Sequence, residues 1–159
     1  MTLALQGAAL ADALPRGSVA IFDILAERIR ENVGSRLVTV LVPSSDAPFL
    51  MRVFSNNLDQ YPLGRADPVE DTIWFRRLFA DGKAIVANDP NAIEAWLPGF
   101  DSYLAQGYGS LANVPIVVSG TTIGLLNLMD AAGHFTDERL AALRDELPLA
   151  ALAILAERM

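Results

Sequence analysis

The chain reads as an α/β/α sandwich, with helices on both faces of a central antiparallel sheet of at least five strands. Three observations predict it. Residues 109–130 form two long apolar runs around a Gly-containing turn, a hairpin with no polar face to give to water. The periodic segments follow the order helix, two strands, helix, strand, helix, two strands, helix. Both ends carry helices with apolar stripes, which places the terminal helices together on one face and the middle helices and loops on the other.

The hairpin organises the rest. A two-residue loop at Ser119-Gly120 would set Asn113 opposite Leu126. A three-residue loop over Ser119 to Thr121 sets Asn113 opposite Asn127, and is preferred here. Two carboxamides inside an apolar hairpin can then satisfy each other or jointly face a polar ligand. In either register Val114, Ile116, Leu126 and Leu128 line one face, and Leu111, Val117, Leu125 and Met129 the other.

Before that hairpin, residues 1–17 read as an N-terminal extension, with a helix over 3–14 ended at Leu14-Pro15. Residues 18–159 read as a single domain. Ser18 is placed to N-cap a helix over Val19–Val33, stopped by Gly34. Its apolar positions Phe22, Leu25, Ile29 and Val33 recur at helical spacing. Leu37–Val42 and Phe49–Asn56 are strands joined by a Pro- and Ser-containing turn, and a polar loop follows. Asp67-Pro68-Val69-Glu70 combines an acidic N-cap, Pro at N1 and Glu at N3, and predicts a helix carrying Trp74, Phe75 and Leu78 to Asp81-Gly82. Lys83–Ala87 is a short strand, and Asp89-Pro90 opens a short helix stopped by Pro98-Gly99. After the hairpin, Thr136 caps the last helix, with Phe135 placed to staple onto Leu140. Leu140, Leu143, Leu147, Ala150 and Ile154 form its stripe, and Pro148 predicts a kink or restart.

Composition excludes several function classes. Hydrophobic residues make up 52% of the 159 and charged residues 19%, a globular composition whose apolar excess points to a subunit interface. The net charge of −7 leaves no basic face for nucleic acid. Only residues 52–83, with Arg52, Arg65, Arg76, Arg77 and Lys83, gather enough cations to meet a small anion. No run is long enough for a membrane span, which takes roughly 18 apolar residues. The N-terminus lacks the basic start of a secretory signal. Zero cysteines excludes disulfides and thiolate chemistry, and a cytoplasmic setting is expected.

The ordered joints Arg52-Val53-Phe54-Ser55-Asn56, Tyr61-Pro62-Leu63-Gly64, Asp71-Thr72-Ile73-Trp74, Phe100-Asp101, Gly107-Tyr108-Gly109-Ser110, Asn113-Val114-Pro115-Ile116 and Gly124-Leu125-Leu126-Asn127-Leu128 resemble those of GAF domains. More narrowly, the chain is similar to small stand-alone bacterial GAF proteins, over about residues 18–157. The resemblance implies a six-stranded antiparallel sheet with a small-molecule pocket on one face. By position, it implies Arg52, Phe54, Trp74, Tyr103, Tyr108, Asn113 and Asn127 as pocket residues. It also implies a homodimer through the terminal helices, by way of Phe22, Leu25, Ile29, Leu140, Leu143 and Leu147.

Departures narrow the function. Methionine-sulfoxide-reducing and most bilin-attaching GAF domains need cysteines that this chain lacks. The Asn-Lys…Phe-x-x-x-Asp-Glu pattern of cyclic-nucleotide-binding GAF domains is broken at Leu128 and around Phe135. The sequence carries no output domain of its own, so a signal is expected to leave through a separate partner. The leading expectation is a sensor of a small polar or anionic metabolite, with no cofactor, metal, nucleic acid or membrane partner. The alternatives are a small-molecule enzyme using Arg52 and a carboxylate, and a pocketless dimeric scaffold.

Bland readings stand beside these. His134, the only histidine, reads as a surface residue before the last helix. Paired acids at helix starts are explained by capping, and Gly107–Ser110 by strand entry rather than phosphate binding. Trp74 and Phe75 fit a core as well as a ligand platform. Arg52, if it points inward, needs an anion: Asp71, Asp101 or a ligand acid. The Asn113/Asn127 pair serves equally as a structural clasp or a ligand contact.

Overall fold

Branched apolar residues at nearly every position make β1 (Leu37–Pro43), β5 (Ser110–Val118) and β6 (Thr121–Asp130) strands that tolerate water on neither face. In the computed structural model, which describes residues 3–159, they lie within a six-stranded antiparallel sheet. With β2 (Phe49–Ser55), β3 (Gly64–Pro68) and β4 (Ile85–Ala87) the strand order is β3-β2-β1-β6-β5-β4. One face is covered by α1 (Leu3–Ala13), α2 (Ser18–Asn32), α6 (Asp137–Arg144) and α7 (Leu147–Glu157). The other is covered by α3 (Ile73–Phe75), α4 (Pro90–Trp96), α5 (Asp101–Ala105) and the loops around them. The sandwich and the placement of its helices are as the sequence predicts. Met1 and Thr2 of the expected N-terminal extension lie outside the described residues.

The hairpin register holds for a different reason than expected. Val118 pairs with Thr121, so the loop is the two-residue Ser119-Gly120, with φ of 51° and 76°, as a primed turn requires. A bulge then inserts Ile123 between the pairs Val117↔Thr122 and Ile116↔Gly124. The extra residue shifts the register by one and brings Asn113 opposite Asn127. Val117, at the end of the hairpin, is exposed rather than in the core.

Other differences are local. Ser18 is the first residue of α2 rather than its cap, and its hydroxyl donates to Glu157 at the far end of α7. Asp67 and Pro68 pair with Leu50 and Phe49 in edge strand β3, where a proline leaves no central ladder bond unmade. The helix starts instead at Thr72, whose Oγ1 accepts the Phe75 N–H at 3.1 Å, and continues as a π-helix over Arg76–Ala80. Helix α5 forms between the Pro98-Gly99 stop and the hairpin, where the sequence pattern predicts no helix. Pro148 produces a restart, with α6 ending at Arg144 and Pro148 in the first turn of α7.

The expected dimer contacts are corrected by burial. Phe22, Leu25, Ile29 and Leu143 are each 2% exposed or less, packed against the protein's own sheet. Leu140 and Leu147 pack partly on the same core. An apolar stripe this regular is satisfied within one chain.

Candidate functional site

The two faces of the sheet differ in their fit. On the face under α3, α4 and α5 lies a cavity of about 300 Å³. Its floor is the row Thr39, Asn127 and Asn113, contributed side by side by β1, β6 and β5. Its walls are the apolar Leu41, Leu111, Met129 and Phe100, with Trp74 and Tyr103 above.

Thr72 starts the helix that carries Trp74 over this floor. The Trp74 indole Nε1 donates to Asn113 Oδ1 at 2.9 Å, and Asn113 Nδ2 donates to Asn127 Oδ1 at 2.7 Å. An indole N–H can only donate, so the direction of the whole relay is set. Asn127 is left with its NH₂ donors and no protein acceptor for them among the described residues. The carboxamide pair is thus a clasp and a cavity wall together.

Arg52 reaches the cavity because β2 is bulged. Val53 is inserted between the pairs Leu41↔Arg52 and Val40↔Phe54. Residues two apart on a regular strand share a face; the bulge puts these two on opposite faces. Arg52 therefore lines the cavity, whereas Phe54 stacks on Phe22 beneath the terminal helices, with ring centroids 5.5 Å apart. Phe54 is no pocket residue. Arg52 Nη1 donates to the Pro62 carbonyl at 3.0 Å, and the guanidinium lies 5.5 Å from the Tyr61 ring centroid. Its Nε is buried and meets no hydrogen-bond partner among the described residues. Asp71, one expected partner, instead grips Arg76 with both oxygens, at 2.5 and 2.8 Å. Asp101 makes no ion pair with Arg52 either.

Phe100, Tyr103 and Tyr61 stack in sequence beside the guanidinium, with centroids 4.9 and 6.1 Å apart. Burial, then repulsion from the neighbouring Tyr103 and Tyr108, pushes the Tyr61 phenol up to about 12. Burial also raises Tyr103, with the Asp67 charge adding to the effect and Arg52 opposing it. Both phenols are neutral near pH 7. Tyr108 is buried in the same core, but the Arg36 guanidinium stands over its ring at 4.9 Å and it lines no part of the cavity.

Of the seven expected pocket residues, the cavity brings together Arg52, Trp74, Tyr103, Asn113 and Asn127. Sequence reading missed Thr39, Tyr61, Asp67 and Glu70. Thr39 is the one polar residue of an otherwise apolar β1, the same signal that marked the two asparagines. Asp67 and Glu70 were absorbed into a helix cap that does not form. His134 is held rather than free: Nε2 lies 3.1 Å from the Val33 carbonyl and Nδ1 3.7 Å from Asp130. The described residues hold no cluster of His, Asp and Glu suited to a metal, and no helix long and apolar enough to cross a membrane.

The chain is thus a bulged six-stranded α/β/α sandwich with a cavity between the sheet and the helices after β2. Residues 17–154 match the GAF domain family, and the chain belongs to it. No protein of curated function matches. Among solved structures, the fold is similar to a GAF domain/HD domain protein from Geobacter sulfurreducens, with TM-score 0.71 at 17% identity over 90% of this chain and 95% of that one. It is similar to the GAF domain of a two-component sensor histidine kinase from Bacillus halodurans, with TM-score 0.67 at 16% identity over 84% and 90% of the chains. It also resembles the GAF domain of a phosphoenolpyruvate-protein phosphotransferase from Coxiella burnetii, with TM-score 0.65 at 16% identity over 84% and 80%. At these identities the likeness speaks to the fold.

Proposed function

We propose that the chain is a cytoplasmic sensory module that binds a small polar or anionic metabolite in the cavity and passes its occupancy to a separate partner protein. The single observation that carries this reading is Arg52. A buried guanidinium nitrogen with no acceptor costs stability unless something in the working protein meets it. The Arg52 side chain also lines a cavity near the lower bound of ligand pockets, about 300 Å³. Both features weigh against a pocketless scaffold. The enzyme alternative draws less support, because the cavity's carboxylates, Asp67 and Glu70, are exposed and make poor shielded bases.

Thermal unfolding against nucleotides, cyclic nucleotides, amino acids, oxo-acids and ureides tests the proposal. A ligand at 100 times its dissociation constant raises Tm by about 5–10 °C for a chain of this length. Arg52→Leu and Asn127→Leu abolish that rise. A flat response from ligand-free protein overturns the reading.

The expected homodimer moves to a groove between α1, α2 and α7, floored by Leu10, Ile24, Leu149 and Leu152. Ile24→Glu, unlike a change at the buried Leu25, then lowers the mass in solution without unfolding the chain. An unchanged mass removes the dimer.

A further inference from the structure

The cavity is charged at two places, with opposite signs. Arg52 is its only cation, held inside by the Pro62 carbonyl and the Tyr61 ring. Asp67 and Glu70 are its only carboxylates, both exposed at the rim. Asp67 pairs across the sheet with Leu50, two residues along β2 from Arg52. A bulge at Ala66 separates this pair from Met51↔Arg65 and Arg52↔Gly64 in the same ladder. Arg52 forms no ion pair with Asp67 or Glu70 among the described residues, and its guanidinium donates to the Pro62 carbonyl instead. The cation and the acids are thus kept apart across the space a ligand would fill.

Everything else lining the cavity is neutral. The phenols of Tyr61 and Tyr103 are un-ionised, and the carboxamide relay spends its acceptors internally and leaves donors on Asn127. Donors therefore gather at the floor and acceptors at the rim. Between them the wall is apolar and aromatic: Leu41, Leu111, Met129, Phe100 and Trp74.

Resting on the sensor reading above, we infer that the ligand is a free amino acid, bound as a zwitterion. Its carboxylate takes the Arg52 guanidinium and the Asn127 amide, its ammonium group faces Asp67 and Glu70, and an uncharged side chain lies on the apolar wall. A phosphorylated or dicarboxylic ligand sets a second negative charge against the rim acids, with no cation there to receive it. A simple monoanion leaves the acids unanswered. The inference therefore disfavours nucleotides and cyclic nucleotides as well as oxo-acids.

The test is thermal unfolding and titration of Trp fluorescence with the proteinogenic L-amino acids, each beside its N-acetyl and its C-terminal amide derivative. At least one free amino acid raises Tm, and loss of either charge weakens its binding by about tenfold or more. Asp67→Asn reduces discrimination against the N-acetyl form while keeping discrimination against the amide. Arg52→Gln does the reverse. Both variants are read only after their unliganded unfolding shows a folded protein, with Glu70→Gln as a second rim variant should Asp67→Asn not fold. If oxo-acids, dicarboxylates or nucleotides bind and no amino acid does, the zwitterion inference is overturned while the sensor reading stands. If N-acetyl and free forms bind equally, the rim acids have no role and the inference falls. If nothing binds, both fall.

Discussion

The two faces of one sheet have been put to different uses. Beneath α2 and α7 the packing is close: a Cβ built on Gly124 would lie 2.8 Å from Ile154 Cδ1 and 2.9 Å from the Leu41 carbonyl. On that side the deeply buried positions are almost all apolar, and the buried Glu146 is answered by both Arg28 and Asn32. Beneath α3 and α5 the same strands present Thr39, Asn113, Asn127 and Arg52, and the roof stands off them to leave a cavity. Long helices with continuous stripes can close on a sheet along their whole length. Helices of three to seven residues cannot, and two of the three here begin at a side-chain cap, Thr72 or Asp89. One face is packed closely by long helices, and the other leaves polar side chains around an open space.

The largest effect of a single substitution is expected on the packed side. Leu25→Ala removes a fully buried side chain where the surroundings cannot collapse, and is expected to cost about 2–5 kcal/mol, read as a lower urea midpoint at unchanged slope. Asn113→Ala, on the cavity side, orphans the Trp74 N–H and the Asn127 carbonyl together. It is expected to cost about 1–3 kcal/mol and to shift Trp emission to the red. In that background Trp74→Phe costs less than in the wild type, because the shared bond is already gone; equal costs would mean no relay.

Arg52→Leu sharpens the contrast. It removes a nitrogen that the unliganded protein leaves unsatisfied, so stability is expected to hold within about 1 kcal/mol or to rise, while ligand response is lost. A large destabilisation would instead show Arg52 to be structural. The smallest effect is one of pH. Tyr61 is raised from 10.0 to about 12 in the folded protein, so the unfolded chain ionises first. The stability from its neutral phenol is fully present below about pH 10 and declines as pH rises from about 10 to 12. Tyr61→Phe flattens that decline; an unchanged pH profile would place the phenol in water.

Much of this was legible in the residues. The sandwich, five of its six strands, the Asp89 and Thr136 caps and the restart at Pro148 follow from local pattern, because capping, turn chemistry and two-faced apolar runs act over a few residues. Five of the seven residues that the resemblance implies line the cavity, Arg52, Asn113 and Asn127 from strands and Trp74 and Tyr103 from the short helices above them.

What local pattern could not settle turned on single-residue insertions and on competition between elements. The bulge at Val53 separates Arg52 from Phe54, and the bulge at Ile123 restores a register that the two-residue loop alone would lose. Asp67-Pro68-Val69-Glu70 carries every mark of a helix start, yet Asp67 and Pro68 extend the sheet beside β2 and Thr72 takes over the cap. A free sheet edge offers a run of backbone bonds that a cap's one or two cannot match. Sequence alone determined the sandwich, the apolar faces and the residue types available for a site. Tertiary structure alone decided which side of the sheet each strand residue faces, and so which cation meets the cavity and which acids stand across from it. A bulge costs one residue of sequence and leaves no mark in its composition, but reverses the orientation of the side chains beyond it.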